Sequence, residues 1–259
     1  RNVDIWLPPS YYIEKSKRFP VLYMHDGQNL FNSTNAYAGS EWKVDEWIMK
    51  LSDEDKIPEV IVIGIWNTPK RFLEYMPDKP FGMIPDTMQQ ILIREYNGKP
   101  QGDAYLNFIV SELKPAIDKQ FRTLSDQSGT YIMGSSMGGL ISSYAVCEYP
   151  GIFRGTGCLS THWIGSLEHD SHAVSGAFVS YFSENLPDPE NHLYYFDYGT
   201  ETLDALYEPH QNKIDSVFEK NRYTSGKNFI TLKFEGATHN EMSWSERLDK
   251  PLIFLLEKQ

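Results

Sequence analysis

The chain has 259 residues, a formal net charge of −11 and a pI near 5.1. The length fits one large α/β domain, which buries about three quarters of its unfolded surface and needs no covalent staple. The negative balance repels phosphate backbones and anionic headgroups, and no apolar run is long enough to span a bilayer, so nucleic acid and membrane are excluded as favoured partners.

Val3 to Leu7 alternates apolar and polar residues before Pro8-Pro9 and reads as an early or edge strand. Val21 to Met24 is a continuous apolar run, as expected of a buried parallel strand, and His25-Asp26-Gly27-Gln28-Asn29 is the loop at its carboxyl end. Ser40 is placed to cap a helix carrying Trp42, Val44, Trp47, Ile48 and Leu51 on one face. Val60 to Ile65 is a second buried strand, leaving through Trp66-Asn67-Thr68-Pro69. From 70 to 102 the periodicity fades and Pro, Gly, Met and aromatics accumulate, which reads as an irregular rim or partial lid. Tyr105 to Phe121 predicts an amphipathic helix perturbed by Pro115.

Tyr131-Ile132-Met133 is an apolar run, and a helix follows over Ser142 to Tyr149. Gly134-Ser135-Ser136-Met137-Gly138 between them matches G-x-S-x-G in the strand-to-helix context that the motif requires. Such a turn thrusts the serine hydroxyl outward and leaves no room for side chains two residues to either side. Phe153 to Ser160 predicts another strand, 161 to 191 is irregular, and Leu193 to Gly199 is a strand followed by a helix over Glu208 to Asn221. Asn228 to Phe234 and Trp244 to Leu256 supply a last strand and a closing helix. Alternating strands and helices predict a mostly parallel twisted sheet with helices on both faces, three layers in a single domain over 1–259.

Cys147 and Cys158 both fall in apolar elements, where buried thiols rather than a disulfide are expected. The chain opens at Arg1 directly into a strand, so a trimmed upstream signal would imply a periplasmic or secreted protein, and its absence a cytoplasmic one. The oligomeric state is open.

A serine hydroxyl needs an imidazole to take its proton. His239 lies directly after the last strand, in the chain order Ser, acid, His. His210, at a helix start, reads as a solvated surface residue, and His169, Asp170 and His172 as a polar loop, since nothing completes a set of metal ligands. Three carboxylates precede His239 at a suitable place. Asp197 lies within a strand and is expected to face a neighbouring element; Glu201 and Asp204 share the exit loop, with Asp204 preferred and Glu201 the alternative acid. The oxyanion hole is expected from the N–H groups of Met137 and Gln28, with His25 propping the Gln28 loop. Trp66, Trp163 and Tyr75 fall in loops at the carboxyl end of the sheet, where they are candidates for stacking on substrate.

The blocks Phe19 to Phe31, Gly134 to Gly139 and Gly236-Ala237-Thr238-His239-Asn240-Glu241, with Gly64 to Thr68 and Arg71, Glu74, Tyr75 and Trp244, resemble the esterase D and feruloyl esterase branch of the α/β-hydrolases. Enterochelin esterases and mycolyltransferases belong to the same branch. The resemblance covers nearly the whole chain. It implies the α/β-hydrolase fold and hydrolysis of carboxylic esters through an acyl-enzyme on Ser136, without metal or organic cofactor. A small-molecule or oligosaccharide ester is the implied substrate. A carbohydrate esterase removing acetyl or feruloyl groups is the first expectation and a siderophore trilactone esterase the second. A non-catalytic carbohydrate-binding module on the same fold is the contrasting class. The chain departs from the branch at the acid, where Thr202 stands in the usual place; counting back from the following helix favours Asp204 over Glu201.

Overall fold

Five-residue runs such as Val21-Leu22-Tyr23-Met24-His25 and Ile61-Val62-Ile63-Gly64-Ile65 are buried along their entire length, so neither face of these strands meets water. Period-2 geometry still divides them: Val21 and Tyr23 enter one apolar core, and Leu22 and Met24 the other. A sheet packed on both faces is the arrangement that satisfies such strands. The computed structural model describes residues 1–166 and 172–257.

Within these, seven strands form one sheet: β1 (Val3–Trp6), β2 (Val21–His25), β3 (Ile61–Ile65), β4 (Thr130–Ser135), β5 (Gly155–Leu159), β6 (Leu193–Gly199) and β7 (Phe229–Phe234). Their order is β1-β3-β2-β4-β5-β6-β7, with β1 antiparallel to β3 and the other pairs parallel. This is the expected mostly parallel sheet of an α/β-hydrolase. The helices are α1 (Ser10–Ile13), α2 (Val44–Asp53), α3 (Arg71–Glu74), α4 (Asp78–Gly82), α5 (Asp86–Glu95), α6 (Gly102–Phe108), α7 (Lys114–Gln120), α8 (Met137–Glu148), α9 (His172–Asn185), α10 (Glu208–Lys220), α11 (Glu241–Glu246) and α12 (Asp249–Leu256). Val44, Ile48 and Leu51 of α2 and Leu252, Leu255 and Leu256 of α12 pack against one face, while α6 to α10 cover the other.

Several expectations are corrected in detail. The 70–102 segment is not irregular: α3, α4 and α5 occupy much of it. Met88, Ile91 and Leu92 have helical spacing, but Pro77, Pro80 and Pro85 cut the segment into pieces too short to show a period. In the 161–191 segment, α9 places Val174, Ala177, Phe178, Tyr181 and Phe182 in the core at intervals of three and four residues, while its serines and Gly176 give it the composition of a loop. Ser40 lies outside α2, which begins after Lys43 in a left-handed conformation at φ 56°. The helix expected over 105–121 is continuous through a widened π turn at Ile109–Leu113, next to Pro115, which has no N–H for the Ser111 carbonyl. The closing helix is divided into α11 and α12. His210 is 1% exposed, its Nδ1 at 2.8 Å from Ser175 Oγ and its ring against His172, not a solvated surface residue. His169 and Asp170 lie outside the described residues. Cys147 and Cys158 are buried free thiols, and burial pushes the Cys147 thiol up to about 12. Among the described residues no helix is long and apolar enough to cross a membrane.

Candidate active site

β4 ends in the middle of the sheet, and the chain turns there into α8 through Ser136, at φ 57° and ψ −122°. A non-glycine residue in that region stores about 1–3 kcal/mol of strain. The turn is held by Ser136 N–H donating to Leu159 O (2.9 Å) and by His162 N–H and Gly139 N–H donating to Ser136 O (3.2 and 3.0 Å). A Cβ on Gly134 would meet the Gly138 backbone at 2.9 Å, so this glycine is required sterically. Gly138 is less constrained, since its Cβ would meet His25 Cβ at an ordinary 3.5 Å.

His239 comes from the loop after β7. Its Nδ1 is 2.5 Å from Asp204 Oδ1, its N–H donates to Thr202 Oγ1 at 2.9 Å, and its ring stands edge-on to Trp244 and Tyr207, with centroids at 5.0 and 5.7 Å. Asp204 lies in a 3₁₀ turn over Thr202–Leu206 after β6 and is 1% exposed. Its other oxygen accepts from the Gly199 N–H (2.6 Å) and Ser160 Oγ (2.5 Å). Burial pushes this carboxyl up, but the bond and charge of His239, with Ser160 and the Gly199 N–H, outweigh it and hold the group below its ordinary value. Ser160 is shared in turn with Trp244 Nε1 and with the buried Arg247, whose Nη2 also pairs with Asp197 at 2.9 Å. Burial raises the Asp197 carboxyl, against the pull of Arg247. Glu201 is exposed and makes no contact with His239; Asp204 is the carboxylate that does.

Among the described residues, the N–H groups of Gln28 and Met137 have no protein acceptor, the condition for donors awaiting an oxyanion. The Gln28 loop is braced from three sides. A Cβ on Gly27 would lie 2.3 Å from the Gly64 carbonyl carbon, so the loop can sit on β3 only with glycine there. Gln28 Oε1 accepts from Asn67 N–H at 3.2 Å. Asp26, at φ 55°, is clamped by Arg71 Nε and Nη2, each at 2.8 Å, and by Asn67 Nδ2 at 2.6 Å. Burial works against the Asp26 charge, and Arg71 with Asn67 overcomes it to hold the carboxyl below its ordinary value.

His25, expected as a prop, is 2% exposed, and its Nδ1 is 2.7 Å from Tyr105 Oη. Burial drives its pKa down to about 3, against the opposing charge of Asp26, so it is neutral. Across the elbow, His162 is fully buried with Nδ1 2.9 Å from Tyr207 Oη, and burial, with the charges of His239 and Arg71, lowers it to about 3. The Ser136 hydroxyl is a hydrogen-bonding neighbour of Tyr207, and among the described residues it makes no hydrogen bond to His239. His162, Tyr207, Ser160 and Arg247 went unread in the sequence, where they stand alone in loops without a motif; an X-Ser at the exit of β5 is their only trace.

The aromatic candidates separate. Trp66 is half-buried beside the Gln28 loop, its Nε1 donating to Asp4 at 2.6 Å, and remains at the rim. Trp163 is a correction: it is fully buried against Phe178, Phe182 and Phe196 with its Nε1 on Gln211, so it belongs to the core. Tyr75 is another: it has no exposed surface and its oxygen accepts from the Asp26 N–H at 3.2 Å, bracing the oxyanion loop from below. Among the described residues no cluster of three metal-ligating side chains exists. The largest cavity, about 560 Å³, is lined by Tyr131, Arg154 and Leu193 at the opposite, amino end of the strands and contains none of these groups.

The profile of the family described as Putative esterase matches residues 1–255. A protein of Bacillus subtilis (strain 168), YbbA, is 28% identical over 176 residues, which is 68% of this chain and 62% of that protein. The chain's match thus spans less than two thirds of that relative. Among solved structures, a ferulic acid esterase superposes with a TM-score of 0.66 at 17% identity, covering 98% of this chain and 91% of the other. An IroE-like serine hydrolase from Shewanella oneidensis gives 0.71 at 21%, covering 97% and 75%. The enterobactin esterase FES of Shigella flexneri gives 0.64 at 14%, covering 98% and 54%. At these identities the likeness is one of fold.

Proposed function

Since the chain belongs to the esterase family, we propose that it hydrolyses carboxylic esters with Ser136 as nucleophile, His239 as base and Asp204 as the acid that orients it. The observation that carries this reading is the 2.5 Å bond from His239 Nδ1 to the buried Asp204, beside a serine on a strained strand-to-helix turn. Asp204 fixes the imidazole with its proton on Nδ1, leaving Nε2 to take the proton from Ser136 Oγ as that oxygen attacks the ester carbonyl. The oxyanion forms against the N–H groups of Gln28 and Met137. Collapse expels the alcohol, which takes the proton back from His239, and water repeats the sequence on the acyl-enzyme.

The substrate reading is a carbohydrate ester bearing an acetyl or feruloyl group. It is supported by the ferulic acid esterase, which this chain matches across nearly its full length, and by Trp66 at the rim. A siderophore trilactone is the second reading, supported by the likeness to the enterobactin esterase, of which the chain spans about half. The experiment is p-nitrophenyl acetate turnover by wild type and Ser136→Ala, followed by feruloylated and acetylated sugars against a trilactone. Loss of about 10⁶ in kcat on removing the serine is expected; equal rates would overturn the enzyme reading in favour of a binding module.

A further inference from the structure

The inference rests on the hydrolase reading and concerns the side of Ser136 away from the oxyanion loop. Gln28 follows β2 and Ser136 follows β4, while His162 and Tyr207 follow β5 and β6, so strand order sets the last two across the nucleophile from the oxyanion donors. His162 has one ring nitrogen on Tyr207 Oη at 2.9 Å, and the other, Nε2, is buried without a partner. A neutral imidazole has one proton to place. A buried N–H without an acceptor is rarer and costlier than an unshared lone pair, so the proton belongs on Nδ1, which donates to Tyr207 Oη. The phenol oxygen is then pinned as an acceptor, and its own O–H remains to be given. Tyr207 is fully buried, with its ring edge-on to His239 and Ser136 as its hydrogen-bonding neighbour.

We propose that Tyr207 is a further catalytic residue, its O–H held by His162 and donated to Ser136 Oγ from the face opposite the oxyanion hole. Occupying one lone pair of Oγ leaves the other for the carbonyl carbon and leaves the serine proton for His239. Oγ gathers negative charge twice, when it attacks and when it departs from the acyl-enzyme. A donor on that oxygen stabilises both moments, and the phenol keeps its proton throughout. His162 acts through Tyr207 and is a positioning residue.

The test compares Tyr207→Phe, His162→Asn and His162→Leu by burst kinetics with p-nitrophenyl acetate, by the rate at which a fluorophosphonate labels Ser136, and by Tm. Tyr207→Phe keeps the ring against His239 and removes only the donor. It is expected to slow the burst, the steady state and the labelling together by about ten- to a hundredfold, with KM and Tm little changed. His162→Asn, whose amide N–H can reach the place of Nδ1–H, is expected to retain most of the rate, and His162→Leu to fall with Tyr207→Phe. Should His162→Leu fail to fold, the other two variants decide. Wild-type labelling of Tyr207→Phe, or His162→Asn as slow as Tyr207→Phe, overturns the proposal alone. A wild type that no fluorophosphonate labels overturns the hydrolase reading and the proposal with it.

Discussion

The two flanks of Ser136 are built from the same part used differently. Each has a buried, neutral histidine whose Nδ1 meets a tyrosine hydroxyl and whose Nε2 has no partner: His25 with Tyr105 on one side, His162 with Tyr207 on the other. On the first side Tyr105 neighbours Tyr75, whose oxygen accepts from the Asp26 N–H, so the chain of bonds terminates in backbone. The charges there are spent on one another in the bidentate Asp26–Arg71 pair, and what the flank offers substrate is an uncharged N–H at Gln28. On the second side the bonds terminate at the reacting groups, and Asp204 has its charge directed at His239. What a histidine–tyrosine pair does is thus decided by what its hydroxyl faces. One flank fixes geometry, and the other handles protons.

Breaking the proton-handling flank should have the largest effect. Asp204→Ala is expected to lower kcat by about 10⁴, by analogy with loss of the acid from other triads, while Glu201→Ala stays near wild type; kcat for the two variants checks this, and inactivity of Glu201→Ala alone would reverse the assignment. The geometric flank breaks at Gly27. Gly27→Ala drives a Cβ into the β3 backbone, displaces the Gln28 N–H, and is expected to cost about 10²–10³ in kcat; turnover within twofold of wild type would show that Gln28 is not a donor.

Next in size is a stability effect confined to the geometric flank. Arg71→Met leaves the Asp26 carboxylate buried and unpaired, at a cost of about 3 kcal/mol in denaturant unfolding, and Asp26→Asn added to it should recover part of that loss. If the double variant is no more stable than the single one, the pair is not the brace. The smallest effect is one the flanks share. Both histidines have folded pKa values near 3, below the ordinary 6.5, so the unfolded chain takes up their protons first. Their contribution is complete above the unfolded value and declines as pH falls from there towards 3, by about 1.4 kcal/mol per pH unit for each histidine. Raised carboxyls such as Asp45 slope the other way, so the quantity to measure is the difference between wild type and a His25→Asn, His162→Asn double variant across pH 6.5 to 4. Parallel stability curves would mean that neither imidazole is held neutral.

The legible parts of the sequence were those where one residue type has one use. The glycine spacing about Ser136 gave the turn, unbroken apolar runs gave the strands, and the position of His239 after the last run gave the base. Asp204 was harder. It stands in a 3₁₀ turn behind Thr202, itself at φ 55°, and no periodicity reports which side chain such a turn directs inward. Trp163 and Tyr75 were misread because an aromatic in a loop at the carboxyl end of a sheet can face the pocket or the layer beneath it, and position along the chain does not distinguish them. The helices over 70–102 and 172–185 were concealed by proline, glycine and serine, whose local preferences are overruled by burial of Leu92 or Phe178. His162 and Tyr207 become a pair only when β5 and β6 lie side by side.

Strand order also governs how the site should come apart on heating. The nucleophile stands on β4, an interior strand with neighbours on both sides, whereas the base follows β7, which closes the sheet with one edge unpaired. Fraying at that edge carries His239 away while Ser136 stays seated. Thermal inactivation should therefore set in below the global transition and reverse fully on cooling from that interval. Amide deuteration in β7 should advance ahead of that in β4, so that the enzyme loses its activity from the rim of the sheet inward.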